Sequence, residues 1–145
     1  MTPFHSLREY EVFVYTLTER FPVLHHSTVV VAQRGRRFAE ATGELALAND
    51  YRLTIYERLV WGDDALIAIE DYGYEAWRGN EKLYWYDSQP HLNDPTLAST
   101  HPHHKHVQPN LKRNRIPAPG LSFTQPNLSF LIEELERERQ SAVRS

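Results

Sequence analysis

Hydrophobic residues recur at steps of three and four at the start of the chain. Five apolar side chains fall on one face of a helix with this spacing, namely Leu7, Tyr10, Val14, Leu17 and Phe21. Pro22 follows, and proline interrupts a helix because it lacks the backbone donor and its ring clashes with the preceding turn. The pattern therefore predicts an amphipathic helix over residues 4–21.

After Pro22 the pattern changes to β-branched runs and alternation with a period of two, which indicates strands. Short turn-forming segments separate the runs, as at Gly62-Asp63-Asp64 and Gly79-Asn80, and short turns join antiparallel neighbours. We therefore predict a five-stranded antiparallel meander. Its strands cover residues 27–33, 37–47, 51–60, 66–77 and 82–87.

The rest of the chain is predicted to be a long loop followed by a second helix. Residues 88–125 are rich in proline and histidine and show little periodicity, whereas apolar residues at helical spacing follow them at Leu128, Leu131, Ile132 and Leu135. The second helix is predicted over residues 126–139. Burying both helices against one sheet face gives a two-layer α+β fold, with residues 1–145 forming a single domain.

Composition excludes several classes of function. Among 145 residues there is no cysteine, so thiol nucleophiles, disulfides and thiolate zinc sites are excluded, and a reducing compartment fits. The net charge of -3 neither supports nor excludes an RNA partner, since an acidic protein can carry a local basic groove. No apolar run approaches the roughly 20 residues of a membrane span. We expect a soluble, cytoplasmic protein without a membrane partner, and no pattern indicates its oligomeric state.

The segment from Asp87 to His106 is the strongest functional signal. It holds five of the eight histidines and three of the nine prolines. Imidazole can transfer a proton or bind a metal near neutral pH, and proline stiffens a loop without a hydrogen-bonded ladder. We expect this segment to present chemistry.

The preceding hairpin is predicted to supply the rest of a site. With Gly79-Asn80 as its turn, the expected register opposes Trp77 to Lys82, Glu75 to Tyr84 and Gly73 to Tyr86. That register places four polar side chains on one face, which are Glu75, Lys82, Tyr84 and Tyr86. Tyr74, Leu83 and Trp85 are expected on the other face.

If the histidine segment folds back over the sheet, the two parts form a cleft with a proton donor, a proton acceptor and positive charge. Metal-free cleavage of a phosphodiester needs these groups. The candidate catalytic residues are His91, His103, His106, Glu75, Tyr86 and Asp87. The candidate substrate-binding residues are Lys82, Tyr84, His104, Lys105, Lys112 and Arg113.

Simpler interpretations stay open for these residues. Tyrosines and tryptophans on strands often only pack, and Glu75 with Lys82 is also typical of a solvated cross-strand pair. His101, His103 and His106 have loosely metal-compatible spacing, but Lys105 within the run disfavours a cation and favours an anion. We therefore predict neither a metal site nor a cofactor.

The chain also resembles the TumE-like family of bacterial toxin and antitoxin pairs. The resemblance lies in Tyr74-Glu75, the run from Glu81 to Asp87, Pro90-His91 and the run from Pro102 to His106. The matched positions are Tyr86, Asp87, Pro90, His91, His103, His104, Lys105 and His106. The family often has arginine, asparagine and histidine where this chain has Trp85, Ser88 and Leu92.

The resemblance implies a toxin neutralised by a cognate antitoxin protein, with RNA cleavage or another block on translation as its route. Our first hypothesis is a metal-independent ribonuclease in which His103 or His106 acts with Glu75 or Tyr86, while Lys82 and Lys105 stabilise the phosphate. Two alternatives remain open. One is a non-catalytic module whose aromatic groove binds a protein or peptide, and the other is metal-dependent hydrolysis at imidazoles and a carboxylate such as Asp87.

Overall fold

The computed structural model describes residues 4–88, 103–108, 115–118 and 120–144. Helices α1 (Leu7–Tyr15) and α2 (Leu17–Arg20) come first, and helix α3 (Leu128–Arg144) comes last. The strands between them are β1 (His26–Ser27), β2 (Val30–Gly35), β3 (Phe38–Ala46), β4 (Tyr51–Val60), β5 (Ala68–Arg78), β6 (Glu81–Asp87), β7 (His104–Val107) and β8 (Arg115–Pro117).

The predicted N-terminal helix is present but divided. Ser6 caps α1, because its hydroxyl accepts a hydrogen bond from the backbone N–H of Glu9 at 3.0 Å. Thr16 separates α1 from α2, and its hydroxyl donates to the carbonyl of Val12 at 2.6 Å. Such a bond from a threonine side chain competes with the helix ladder. Leu17 beyond the break is still buried, so the apolar face continues through α2.

The antiparallel meander is confirmed, but the predicted number of strands is wrong. Eight strands form one sheet in the described part of the chain. Strands β1 and β2 lie end to end along β3, and β3 to β8 then follow in chain order. Residues 88–125 were predicted to be a loop, yet they contribute β7 and β8. Pro117 fits because β8 is the last strand in the sheet order, where proline is tolerated.

The register of the β5–β6 hairpin also differs from the prediction. Trp77 opposes Lys82 as expected, but Ala76 opposes Tyr84, so Leu83 is an extra residue at a β-bulge. A slip of one residue turns every following side chain to the other face. Glu75 and Lys82 therefore share a face with Trp85. The prediction that Tyr84 and Tyr86 lie beside Glu75 is wrong.

The two faces of the sheet differ in what covers them. On the inner face Tyr10 of α1 reaches Glu57 of β4, and Glu134 of α3 reaches Tyr86 of β6, so both long helices pack there. The opposite face, which we call the outer face, carries the half-buried polar residues of β4 and β5. The predicted α+β class is confirmed, and α3 extends beyond the predicted residues 126–139. No helix among the described residues is long and apolar enough to cross a membrane.

Candidate functional site

Strand β7 brings part of the histidine segment onto the hairpin, which is the arrangement that the proposed cleft required. It pairs with β6 so that Lys105 opposes Tyr86 and His104 opposes Asp87. Because side chains alternate along a strand, the segment is divided between the two faces of the sheet. The contacts described below place His103 and Lys105 on the inner face and His104 and His106 on the outer face.

His103 is held on the inner face by aromatic residues. Its Nδ1 lies 2.6 Å from the hydroxyl of Tyr72, and its ring lies 4.5 Å from that of Phe123, centroid to centroid. Burial, and then the charges of Asp87 and Asp71, raise the pKa of the Tyr72 phenol well above its ordinary value, so it stays protonated. His103 as a residue is half-buried.

Lys105 lies on the same face and joins a second group of polar residues. Its Nζ donates to Glu134 Oε2 at 2.9 Å, and the Tyr86 hydroxyl donates to Oε1 and Oε2 of that carboxylate at 2.9 and 2.8 Å. The ammonium also lies 4.3 Å from the ring centroid of Tyr84. Burial and the Glu134 charge raise the pKa values of both tyrosines. The inner face thus collects an imidazole, an ammonium, a carboxylate and phenols.

The outer-face histidines have a different environment. His106 Nε2 lies 3.2 Å from Asp87 Oδ2, and His104 Nδ1 lies 3.9 Å from Asp87 Oδ1. The His106 ring stacks on Trp85 with centroids 3.7 Å apart. The side chains of His104 and His106 are 0% and 3% exposed. A substrate therefore has little direct access to either imidazole.

Glu75 and Lys82 form the remaining predicted group on the outer face. The Lys82 ammonium donates to Glu75 Oε2 at 2.9 Å, and Thr54 and Trp77 donate to Oε1 at 3.3 and 3.4 Å. Partial burial opposes ionisation of this carboxyl, but the Lys82 hydrogen bond and charge prevail and lower the pKa of Glu75. Glu75 is thus stabilised as an anion. It lies on the opposite face of the sheet from His103.

The structure therefore divides the predicted site. His103, Lys105, Tyr84 and Tyr86 belong to the inner face, while Glu75, Lys82, Asp87, His104 and His106 belong to the outer face. The predictions for His91, Lys112 and Arg113 lie outside the described residues. No group of three histidine or acidic side chains in residues 4–88, 103–108, 115–118 and 120–144 has an arrangement that could hold a metal ion.

Two polar partners of this site, Tyr72 and Glu134, are not among the residues predicted from the sequence. In the sequence, Tyr72 is one of several aromatic residues on a predicted strand, and Glu134 is one of several charged residues in the run 133–139. Neither pattern distinguishes these two residues from their neighbours. The position of Glu134 in the helix could have indicated a polar contact, because Glu134 lies between Leu131 and Leu135, beside the buried apolar stripe of α3. A carboxylate there must reach a partner or be exposed, and its partners proved to be Lys105 and Tyr86.

A third missed residue is Glu57, which is buried in the core beneath the helices. The hydroxyls of Tyr10 and Tyr74 both donate to its carboxylate, the latter at 2.5 Å, and Asn127 Nδ2 donates to the Tyr74 hydroxyl at 3.1 Å. Burial raises the pKa of Glu57, and the two phenols counteract that rise only in part. This network joins α1, β4, β5 and the residue before α3.

The model of the family described as Toxin TumE matches residues 14–139. The chain belongs to the Toxin TumE family. The TumE match contains the whole sheet and Glu134 of α3, so both groups of histidines lie inside the family region. The resemblance seen in the sequence is confirmed. No curated protein and no solved structure matches the chain.

Proposed function

We propose that this protein is the toxin of a toxin–antitoxin pair and that it cleaves RNA in the cytoplasm without a metal ion, with His103 as the proton-transfer group. The family supports a toxin-like function. One observation carries the proposed chemistry. A half-buried imidazole is held by a phenol at 2.6 Å, and Lys105 projects from the same strand face two residues away.

Access distinguishes His103 from the other described histidines of this segment. A general acid or base must come within hydrogen-bond distance of the proton that it moves. His104 and His106 are buried, whereas His103 is half-buried and Lys105 keeps 20% of its side chain exposed. The inner-face pair can therefore meet a substrate near the end of the sheet, next to β8.

Tyr72 is proposed as a positioning residue for His103. A phenol can donate or accept a hydrogen bond, so the same hydroxyl supports the imidazole when Nδ1 is an acceptor and when it is a donor. His103 can thus gain or lose a proton at Nε2 while keeping its partner at Nδ1. Because the pKa of Tyr72 is raised, the phenol remains neutral during these changes.

RNA carries its own nucleophile, so the reaction needs no covalent intermediate on the protein. His103 takes the proton of a 2′-hydroxyl, the 2′-oxygen forms a bond to phosphorus, and the bond from phosphorus to the 5′-oxygen breaks. The leaving 5′-oxygen then takes up a proton from water, and His103 returns the proton that it accepted to the solvent. Lys105 stabilises the charge on the phosphate, since Glu134 engages only one of its three N–H donors. The expected products are a 2′,3′-cyclic phosphate and a 5′-hydroxyl.

Incubation of the purified protein with total RNA in the presence of a chelator tests this function. We expect cleavage that leaves cyclic phosphate ends and that falls at least about 100-fold in His103→Gln, the usual scale of general acid–base catalysis. His5→Gln is the matched control, because His5 is 65% exposed and far from β7 in the sequence. Unchanged cleavage by His103→Gln, or loss of wild-type cleavage on chelation, contradicts the proposal.

A further inference from the structure

Gly73 lies in the middle of β5, where nothing in the local structure requires a glycine. A Cβ atom built there has no atom of the described residues within 4 Å, and the backbone is not left-handed. Gly43 is different, because a Cβ there would come within 2.5 Å of Val29 Cα. Glycine weakens a strand interior and often marks a place where another molecule approaches closely.

The missing side chain leaves a groove on the outer face of the sheet. Gly73 opposes Tyr56 of β4 and Asp87 of β6 in the register of the sheet. A groove of about 270 Å³ is lined by Gly73, Tyr56, Thr54, Glu75 and Trp85. This volume is near the lower limit of about 300 Å³ for small-molecule sites. It suits one inserted side chain with aromatic contacts.

The charges around the groove favour a cation. Asp71 and Glu75 flank Gly73 along β5, whereas Asp87, which opposes Gly73 from β6, already contacts His106. Lys82 is paired with Glu75 at 2.9 Å, and Arg58, which opposes Asp71, is paired with Glu70 at 2.7 Å. Burial and then the charges of Glu40 and Asp71 raise the pKa of Tyr56 against the opposing charge of Arg58, which is consistent with a net negative potential at that wall. A phosphate backbone is repelled by such a surface, whereas a guanidinium is attracted.

We propose that the groove over Gly73 binds an arginine side chain of a partner protein that docks on the outer face of the sheet. The planar guanidinium can lie over the Tyr56 ring, beside Trp85, and donate to the neighbouring carboxylates, which a lysine ammonium does less well. Helices α1 and α3 pack on the inner face, so neither occupies this surface. The site is on the face opposite His103, and its existence does not depend on RNA cleavage.

Titration with a short arginine peptide, acetyl-Gly-Arg-Gly-amide, tests the proposal. The readout is the set of indole N–H signals in the NMR spectrum of the full chain, which has three tryptophans. We expect a saturable shift of the Trp85 signal, while Trp61, outside the groove, serves as an internal reference. The matched peptide with citrulline in place of arginine keeps the shape without the charge, and it should bind at least about tenfold more weakly.

Gly73→Thr and Thr42→Val complete the test. The new Thr side chain fills the groove and suits a strand, so binding of the arginine peptide should weaken at least about tenfold. Thr42→Val alters the same face beside Tyr56 without lining the groove and should bind as the wild type does. If Gly73→Thr does not fold, Glu75→Gln replaces it and should also weaken binding.

Three results would overturn the proposal. The first is equal binding of the citrulline and arginine peptides, and the second is the absence of a saturable shift of the Trp85 signal. The third is binding of single-stranded oligouridylate that Gly73→Thr abolishes, because that result would make the groove a nucleic-acid site. RNA cleavage by Gly73→Thr should equal that of the wild type. Failure of this proposal therefore leaves the function of His103 intact, and loss of cleavage in His103→Gln leaves peptide binding unchanged.

Discussion

Glu57 and Glu75 lie on neighbouring strands of the sheet, but on opposite faces and with pKa shifts of opposite direction. Glu57 is buried under α1 and accepts hydrogen bonds from two phenols, and burial raises its pKa. Glu75 is half-buried beside Lys82, and that ammonium lowers its pKa despite some desolvation. The same residue type is therefore a core polar group on one face and an ion-pair partner on the other.

The histidines from His103 to His106, at the start of β7, show the same division within four residues. His103 faces the helices and meets a phenol, whereas His106 faces outwards and meets Asp87 and Trp85. Only the former is half-exposed. A cluster of histidines in a sequence is therefore not one site when it forms a strand, because alternation sends neighbours into different environments.

The largest expected effect concerns the inner carboxylate. Glu57→Ala leaves the hydroxyls of Tyr10 and Tyr74 without their acceptor in the core, so we expect the free energy of unfolding to fall by about 3 kcal/mol. Glu57→Gln keeps an acceptor oxygen and should lose much less. Urea unfolding measures both. A loss below about 0.5 kcal/mol in Glu57→Ala, as for a surface substitution, would mean that this network does not support the fold.

The next prediction separates the two histidine environments. His106→Ala removes the ring that stacks on Trp85 and leaves Asp87 with one fewer partner, so unfolding should become easier by about 2 kcal/mol. Its RNA cleavage per folded molecule should stay close to that of the wild type. His103→Ala should show the reverse pattern, with lost cleavage and a smaller change in stability. If His106→Ala stays stable and loses cleavage, the outer face is the active face.

A smaller effect is expected from the proposed positioning residue. Tyr72→Phe removes the hydroxyl that holds His103 Nδ1, and we expect kcat to fall about tenfold, or about 1.4 kcal/mol, with KM unchanged. The pH dependence of kcat should also shift, because the imidazole loses its hydrogen-bond partner. Tyr15→Phe is the control, because it also removes one hydrogen-bonded hydroxyl. The Tyr15 hydroxyl accepts a hydrogen bond from the Val31 N–H at 2.8 Å. A rise in KM alone would argue against positioning.

The smallest effect is a pH dependence of opposite sign on the two faces. The lowered pKa of Glu75 adds stability above the unfolded value of about 4.3, and this stability is lost as the pH falls below it. The raised pKa of Glu57 has the opposite effect. The stability that it contributes is present below the unfolded pKa and is lost as the pH rises above it. Because Glu75 is partly exposed, its contribution to the free energy of unfolding stays below about 1 kcal/mol.

Unfolding of Glu75→Gln and Glu57→Gln from acid to neutral pH measures these terms. Compared with the wild type, Glu75→Gln should lose stability as the pH rises through the titration of the carboxyl, and Glu57→Gln should gain it. Equal slopes in the two variants would contradict the assigned environments.

Much of the fold could be predicted because its signals are local. The apolar spacing from Leu7 to Leu17 required a buried helical face, and alternation in residues 51–60 required a half-buried strand. Gly79 at the hairpin turn adopts a φ of 57°, which glycine tolerates without strain. The break at Thr16 was missed, since a side-chain bond to a helix carbonyl leaves no trace in hydrophobic spacing.

The site was predicted less well, because it depends on a one-residue change in register. The bulge at Leu83 turns Tyr84 and Tyr86 towards α3, where both are buried and Tyr86 reaches Glu134. An ideal hairpin read from the turn would expose them beside Glu75. The gain from burying two aromatic rings against a distant helix is not visible in the hairpin sequence itself.

By itself, the sequence determined the helices, the central strands, their antiparallel order and the residue types that carry chemistry, because each follows from the periodicity of neighbouring residues. Only the tertiary structure decided that His103 meets Tyr72, that Lys105 meets Glu134, and that Glu75 lies on the other side of the sheet. Those pairings join residues far apart in the chain. They depend on register and burial, which no local pattern specifies.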